Sequence, residues 1–281
     1  MTSLSLGLIA ALCWGLHDIT IRYLSRTVPL MAALLVVLTV GALFQTGVIL
    51  SRGEGFAVSS AAAGYAVGAG LAFLAASVGL YFAFERGPVR LVAPIIAGFP
   101  ILSITFAVLG GSTISLLQAA AVLAIVFGVG IVAALSDHSD EAIPPIGPTI
   151  ALAAFSAAGF ASTFKLGHIA AELSGELPTT LVTRLTALGV LLAFLLARRM
   201  PLWPGRTAMV PLCAMGLLDG VALLSIMSAA ALPHPEYASV ASSLFGLLTI
   251  LLAWILLKER MTMSQWGGCL IAFAGVGYLA S

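Results

Sequence analysis

Asp18, Arg184 and Asp219 stand deep inside long apolar runs of this chain. At the centre of a membrane helix each such residue costs about 2.5–3.5 kcal/mol on insertion scales. Each must therefore face the bundle interior, a partner or water. One chemistry these types offer is binding: Asp18 or Asp219 would take a proton or an ammonium group, and Arg184 a carboxylate. Another is structural, with Arg184 locked to one of the acids; the third reading is that the side chains snorkel or the span ends lie elsewhere. His17 adjoins Asp18 and follows Trp14 by three residues, so the three lie on neighbouring faces of one helical turn. An aromatic plane beside a titratable imidazole suits a substrate wall; a packed interior cluster would show the same spacing.

Two further stripes carry polar groups at helical spacing. Phe73, Ser77 and Tyr81 recur every four residues, and Ser239, Ser242, Ser243 and Gly246 recur at three, four and seven. Rings would stack on amphipathic solutes and serines would hydrogen-bond them. Small residues at this spacing also allow close helix packing. Pro94 and Pro100 interrupt another run, freeing backbone carbonyls for a hinge or a simple kink. No enzyme constellation is present: there is no HExxH, GxSxG, P-loop or paired carboxylate set on one helical face. His17, His138, His168 and His234 are dispersed, and Cys13, Cys213 and Cys269 lack the spacing of a zinc site or disulfide framework. Neither a catalytic activity, a metal nor a cofactor is expected.

The elements that position these residues follow from composition. Of 281 residues 61% are hydrophobic and 8% charged, far below the roughly 25% charged that a soluble domain carries. A formal charge of +1 gives no basic stripe for nucleic acid. Apolar runs at 4–24, 29–50, 62–85, 88–109, 114–135, 147–169, 178–198, 207–231, 235–257 and 262–280 predict ten transmembrane helices. Each can cross a bilayer core of about 30 Å, and inside lipid only a helix bonds every backbone group internally. The first run reads as a retained helix rather than a cleaved leader.

The most polar connection, Ser136 to Pro145, divides the spans five and five. A shift of 147 residues pairs Pro88 with Pro235, Gln118 with Gln265 and Gly128-Val129-Gly130 with Gly275-Val276-Gly277. A shift of 143 pairs Thr20 with Thr163 and Arg22 with Lys165, and one of 149 pairs Pro29 with Pro178. These ordered offsets predict a duplication into residues 1–137 and 138–281. Five is odd, so the second copy must enter the membrane inverted. Transporters use that symmetry to build one midplane site exposed to each side in turn.

The segment Lys258-Glu259-Arg260-Met261-Thr262, with Gln265, Gly268, Gly275 and Val276, resembles the end of an EamA repeat. Ser115, Gln118, Gly128 and Val129 repeat it less completely, with Ser112 where the Glu would stand. Trp14-Gly15, Pro100 and Arg184 also fit; the first copy has Leu35 in place of the arginine. The chain thus resembles a ten-helix member of the drug/metabolite transporter superfamily. It is most similar to the bacterial YddG-type aromatic amino acid exporters, whose Trp-Pro stretch resembles Phe99-Pro100-Ile101-Leu102-Ser103.

The resulting expectation is a multi-pass, monomeric protein of a bacterial inner membrane, with the lipid bilayer and a small-molecule solute as its partners. It would export amino acids, aromatic ones among them, or related metabolites by alternating access. Spans one, three, four, six, eight and nine would line the path, with Trp14, His17, Asp18, Ser77, Tyr81, Phe99, Arg184, Asp219, Ser239, Ser242 and Ser243 as binding residues. The alternatives are proton-coupled efflux of lipophilic cationic drugs through Asp18, and a non-transporting scaffold or membrane enzyme. Arg22, Arg26, Arg86, Arg90, Arg198, Arg199, Arg206, Lys258 and Arg260 fall on one side and only Arg52 and Lys165 on the other. The positive-inside rule then puts both termini outside, whereas ten-helix relatives are usually drawn with both inside.

Overall fold

The structure, a computed structural model, describes residues 2–109, 115–135, 145–229, 232, 238, 241–258 and 261–279. Ser239, Ser112, Pro235, His234, Glu259, Arg260 and the acidic stretch Asp137, His138, Asp140 and Glu141 lie outside the described residues. Among those described, every element is helical: α1 (Ser3–Leu24), α2 (Leu30–Arg52), α3 (Ser60–Arg86), α4 (Val89–Ala97), α5 (Phe99–Leu109), α6 (Leu116–Ala134), α7 (Ile146–Ser174), α8 (Glu176–Ala197), α9 (Met209–Ser228), α10 (Phe245–Leu252) and α11 (Met263–Leu279). A 3-10 turn, Arg206–Ala208, leads into α9, and a π turn, Ala253–Leu257, widens the end of α10.

Six of these helices are long and apolar enough to cross a membrane: α1, α2, α3, α7, α8 and Arg206–Ser228. Large apolar side chains such as Leu12, Leu43, Phe194 and Val210 are exposed on the outside of the bundle. A soluble protein would not present so many; hydrocarbon accepts them. The protein is an all-α, multi-pass membrane protein.

Local chemistry sets the helix ends. Thr2 and Ser5 form a reciprocal capping box on α1. Gly53, with φ of +67°, closes α2 in the left-handed conformation. The span carrying Pro94 and Pro100 is broken at Gly98, which separates α4 from α5. Pro100 has no N–H for the carbonyl four residues back, and its ring crowds that carbonyl, so the regular ladder stops just before it.

Helices pack through small residues and a few hydrogen bonds, as expected where lipid supplies no hydrophobic drive between them. Ser156 of α7 donates to the Ala76 carbonyl of α3 at 2.8 Å, and Thr183 of α8 donates to the Ala66 carbonyl at 3.2 Å. A methyl group on Gly128 of α6 would lie 2.6 Å from the Ala272 nitrogen of α11, so only glycine permits that approach.

The pattern of packing is regular. Exchanging α1, α2, α3, α4 and α6 with α7, α8, α9, α10 and α11 maps the main helix contacts onto one another. Thus α3–α7 becomes α9–α1, α3–α8 becomes α9–α2, and α4–α7 becomes α10–α1. The pairs α2–α8, α4–α10 and α6–α11 map onto themselves. Two of the paired sequence positions also do the same local job. Gln118 accepts from the Ser115 backbone N–H at 2.8 Å and Gln265 from that of Thr262 at 3.0 Å, each completing a capping box. Thr20 and Thr163 both bond back to the carbonyl four residues earlier. Helices α3 and α7 run antiparallel: Ser59 at the start of α3 is bonded to Ser174 at the end of α7. At the other end, Gly87 abuts Thr149.

Candidate functional site

The helices line a cavity with about 480 Å³ of atom-free space, counting the crevices between its side chains and the part that is open to solvent. Helix α1 supplies Trp14, His17 and Asp18, α3 supplies Phe73, Ser77, Leu80 and Tyr81, and α9 supplies Asp219. Phe99 enters from the α4–α5 break, Phe160 and Phe164 from α7, Phe245 from α10, and Leu34, Val37 and Leu38 from α2. The structure therefore brings together Trp14, His17, Asp18, Ser77, Tyr81, Phe99 and Asp219. Spans one, three, four, six, eight and nine all reach the wall, and α2 joins them.

Aromatic rings dominate that wall. Trp14 stacks on Phe164 at 5.7 Å between centroids and meets Phe245 edge-on at 6.2 Å. Phe99 meets Phe164 edge-on at 5.2 Å, and Phe160 lies 6.2 Å from both Phe73 and Phe164. Ring faces are electron-rich and edges electron-poor, so this packing suits a planar or cationic group.

Two polar networks interrupt the rings. In the first, Arg184 donates through Nη1 to Asp219 Oδ2 at 2.6 Å and through Nη2 to the Asp219 carbonyl at 3.3 Å. Trp14 Nε1 donates to Asp219 Oδ1 at 3.1 Å. Arg184 is wholly buried, its guanidinium 5.2 Å from the Phe73 ring centroid. A methyl group at Gly41 of α2 would lie 2.6 Å from Nη1 and 2.8 Å from Cζ. Glycine there gives the guanidinium its room. Arg184 thus sits behind the wall, committed to Asp219, rather than on it.

In the second network His17 Nδ1 lies 3.0 Å from Asp18 Oδ1, and Tyr81 Oη lies 3.4 Å from His17 Nε2. With Asp18 ionised and the imidazole neutral, the carboxylate only accepts, so Nδ1 donates to it and Nε2 accepts from the tyrosine hydroxyl. Asp18 is 1% exposed, and its Oδ2 has no hydrogen-bond partner. It is a carboxylate oxygen that no group of the protein satisfies.

Ser242 and Ser243 are buried but do not line the cavity. Sequence reasoning left unnamed the α2 residues Leu34, Val37 and Leu38 and the α7 pair Phe160 and Phe164. The spacing of four between the two phenylalanines was a usable signal; the α2 residues offered none. Among the described residues no group of His, Cys, Asp and Glu is placed to hold a metal ion.

Residues 147–281 match the EamA-like transporter family. No curated protein matches the chain's sequence. A solved crystal structure of a protein is similar over nearly the whole length, with a TM-score of 0.75 at 17% identity, covering 99% of this chain and 97% of that one. At that identity the likeness concerns the fold. The family match gives the second part of the chain a transporter-like architecture. The family match thus covers just under half of the chain, its second part, and the solved structure adds a likeness of fold over nearly the whole length.

Proposed function

We propose that the protein exports amino acids, aromatic ones among them, or related small metabolites across a bacterial inner membrane. It works by alternating access between two inverted five-helix halves, residues 1–137 and 138–281. The observation that carries this reading is the interior cavity itself, walled by aromatic rings and holding a carboxylate oxygen without a partner. Rings would receive the side chain of the solute and Asp18 its ammonium group.

The internal exchange of helix contacts supports two equivalent halves. The antiparallel course of α3 and α7 supports their inversion, because successive spans alternate and the third span of one half lies against the first of the other. A site between inverted halves can open to either face by rocking one against the other.

One observation favours a second reading, efflux of lipophilic cations. Arg184 is already bonded to Asp219, so the carboxylate of an amino acid finds no uncommitted cation on the wall. Flux from proteoliposomes separates the two. Phenylalanine, tyrosine and tryptophan moving at a rate that Asp18→Asn cuts at least tenfold is the expected result. Flux of tetraphenylphosphonium alone would transfer the assignment to the second reading. Flux of neither, nor of any of the twenty amino acids, would end the exporter proposal.

A further inference from the structure

We propose that the transport path continues past Arg184 and that Gln45 of α2 is its second polar station. The inference deepens the transporter reading above and rests on it. Gln45 is wholly buried, and neither its Oε1 nor its Nε2 meets a hydrogen-bonding group of the protein. A primary amide offers two donors and an acceptor. Sealed inside a membrane protein without a partner, it is a standing cost, and a methylene-rich residue would fit better unless something intermittently bonds it.

Its place on α2 says what that is. Leu34, Leu38, Gly41, Gln45 and Ile49 recur at three to four residues and share one face of the helix. Leu34 and Leu38 line the cavity. Gly41 lies against Arg184. Ile49 packs with Leu177 and Leu181 of α8. Gln45 therefore stands in the α2–α8 seam between Leu181 and Arg184, about one helical turn (roughly 5.4 Å) beyond the Gly41–Arg184 contact. Arg184 Nε also has no partner. Asp18 Oδ2, Arg184 Nε and the Gln45 amide thus mark one track, running from the cavity toward the end where α2 finishes at Arg52 and α8 begins at Glu176.

The Arg184–Asp219–Trp14 node lies across that track between the cavity and Gln45. Parting of α2 from α8 at this node joins the two limbs. The amide then accepts from and donates to the solute or the water that accompanies it. In the closed arrangement the same amide meets no hydrogen-bonding group of the protein, which favours leaving that arrangement.

The test uses the full chain in proteoliposomes, with Cys13, Cys213 and Cys269 replaced by alanine and Gln45→Cys introduced. Membrane-impermeant trimethylammonium-ethyl methanethiosulfonate should modify this cysteine from one face only. Adding Arg184→Met with Asp219→Leu, which removes the node, should raise the modification rate at least tenfold. Ile49→Cys, one turn farther along the face, should behave alike, whereas Leu43→Cys, exposed on the outer surface, should not react. In the native background, Gln45→Leu should raise the thermal midpoint while lowering phenylalanine flux at least tenfold. Resistance of both Gln45→Cys and Ile49→Cys to modification from either face, with and without the node, overturns the proposal. So does wild-type flux in Gln45→Leu. One-sided modification without flux of any amino acid would support the path and remove only the amino acid assignment.

Discussion

Removing the charge of Asp219 should destabilise the fold more than any other single polar change in the cavity wall. Arg184 is wholly buried and its Nη1 lies 2.6 Å from Asp219 Oδ2. Taking the charge centres at about 4 Å and an effective dielectric near 20, their attraction is about 4 kcal/mol. The larger consequence is what a deletion leaves behind. In Asp219→Asn the guanidinium stays buried with no counter-charge, and breaking one partner of such a pair costs about 3–5 kcal/mol. Trp14 keeps an acceptor in that variant but loses it in Asp219→Ala, which adds about 1 kcal/mol. Arg184→Met should cost less than Asp219→Asn, because an isolated carboxylate keeps the Trp14 N–H while an isolated guanidinium keeps only the backbone carbonyl. The double variant Arg184→Met with Asp219→Leu removes both charges and should regain about 2 kcal/mol or more relative to the sum of the single losses. Equilibrium unfolding in mixed micelles, titrated with dodecyl sulfate, measures all four corners of this cycle. If Asp219→Asn lies within about 0.5 kcal/mol of the wild type, or the two single losses simply add, the pair is not the buried lock described above.

Three further outcomes are expected. Gly41→Ala should displace the guanidinium, since the new methyl would sit 2.6 Å from Nη1, at a cost of about 1–3 kcal/mol in the same titration; the Arg184→Met background should absorb most of it. Trp14→Phe removes the donor to Asp219 Oδ1 but keeps a ring against Phe164, so it should cost about 1 kcal/mol and leave phenylalanine flux within about threefold (under 1 kcal/mol); a loss of flux beyond tenfold would give that N–H a role in binding. Arg22, Arg86, Arg198 and Arg206 cluster at the end of the bundle where α1 and α3 finish, opposite Glu54 and Glu176. In a cysteine-free background, Glu54→Cys should therefore react with an impermeant maleimide on intact cells and Arg198→Cys only after permeabilisation; the reverse pattern would refute the charge argument.

Hydrocarbon made the helices legible. A span must be apolar over its whole length, so helix bounds such as Glu176–Ala197 fall within a few residues of the run expected at 178–198. The same uniformity hid part of the site. Where every face is apolar, periodicity has no contrast, and nothing marked Leu34, Val37 and Leu38 as facing a cavity rather than lipid. Residues whose burial in lipid is expensive stood out instead, which is why Asp18, His17 and Asp219 were visible beforehand. Arg184 stood out for the same reason, but its partner was not decidable: Asp18 and Asp219 both sit near mid-span, and only the packing of α8 against α9 chooses between them. The serines of the ninth span were ambiguous for a different cause, since a small polar residue serves close packing as well as binding, and Ser242 and Ser243 lie off the cavity wall.

The helix sets α1–α4 with α6 and α7–α11 agree in how they pack and disagree in the side chains they present. At the 143-residue offset that pairs Thr20 with Thr163, Asp18 falls on Ala161, His17 on Phe160 and Trp14 on Ala157. At the offset of 149 Arg184 falls on Leu35. Residues 1–137 therefore supply Asp18, His17 and four of the aromatic rings of the cavity, and residues 138–281 supply three more rings together with the buried ion pair. On the alternating-access reading this inequality has a consequence. A symmetric pair of backbones would give the two access states equal energy, whereas the Arg184–Asp219–Trp14 node bars only the limb that leads to Gln45. Any preference for one resting state then comes from these few side chains rather than from the helix framework.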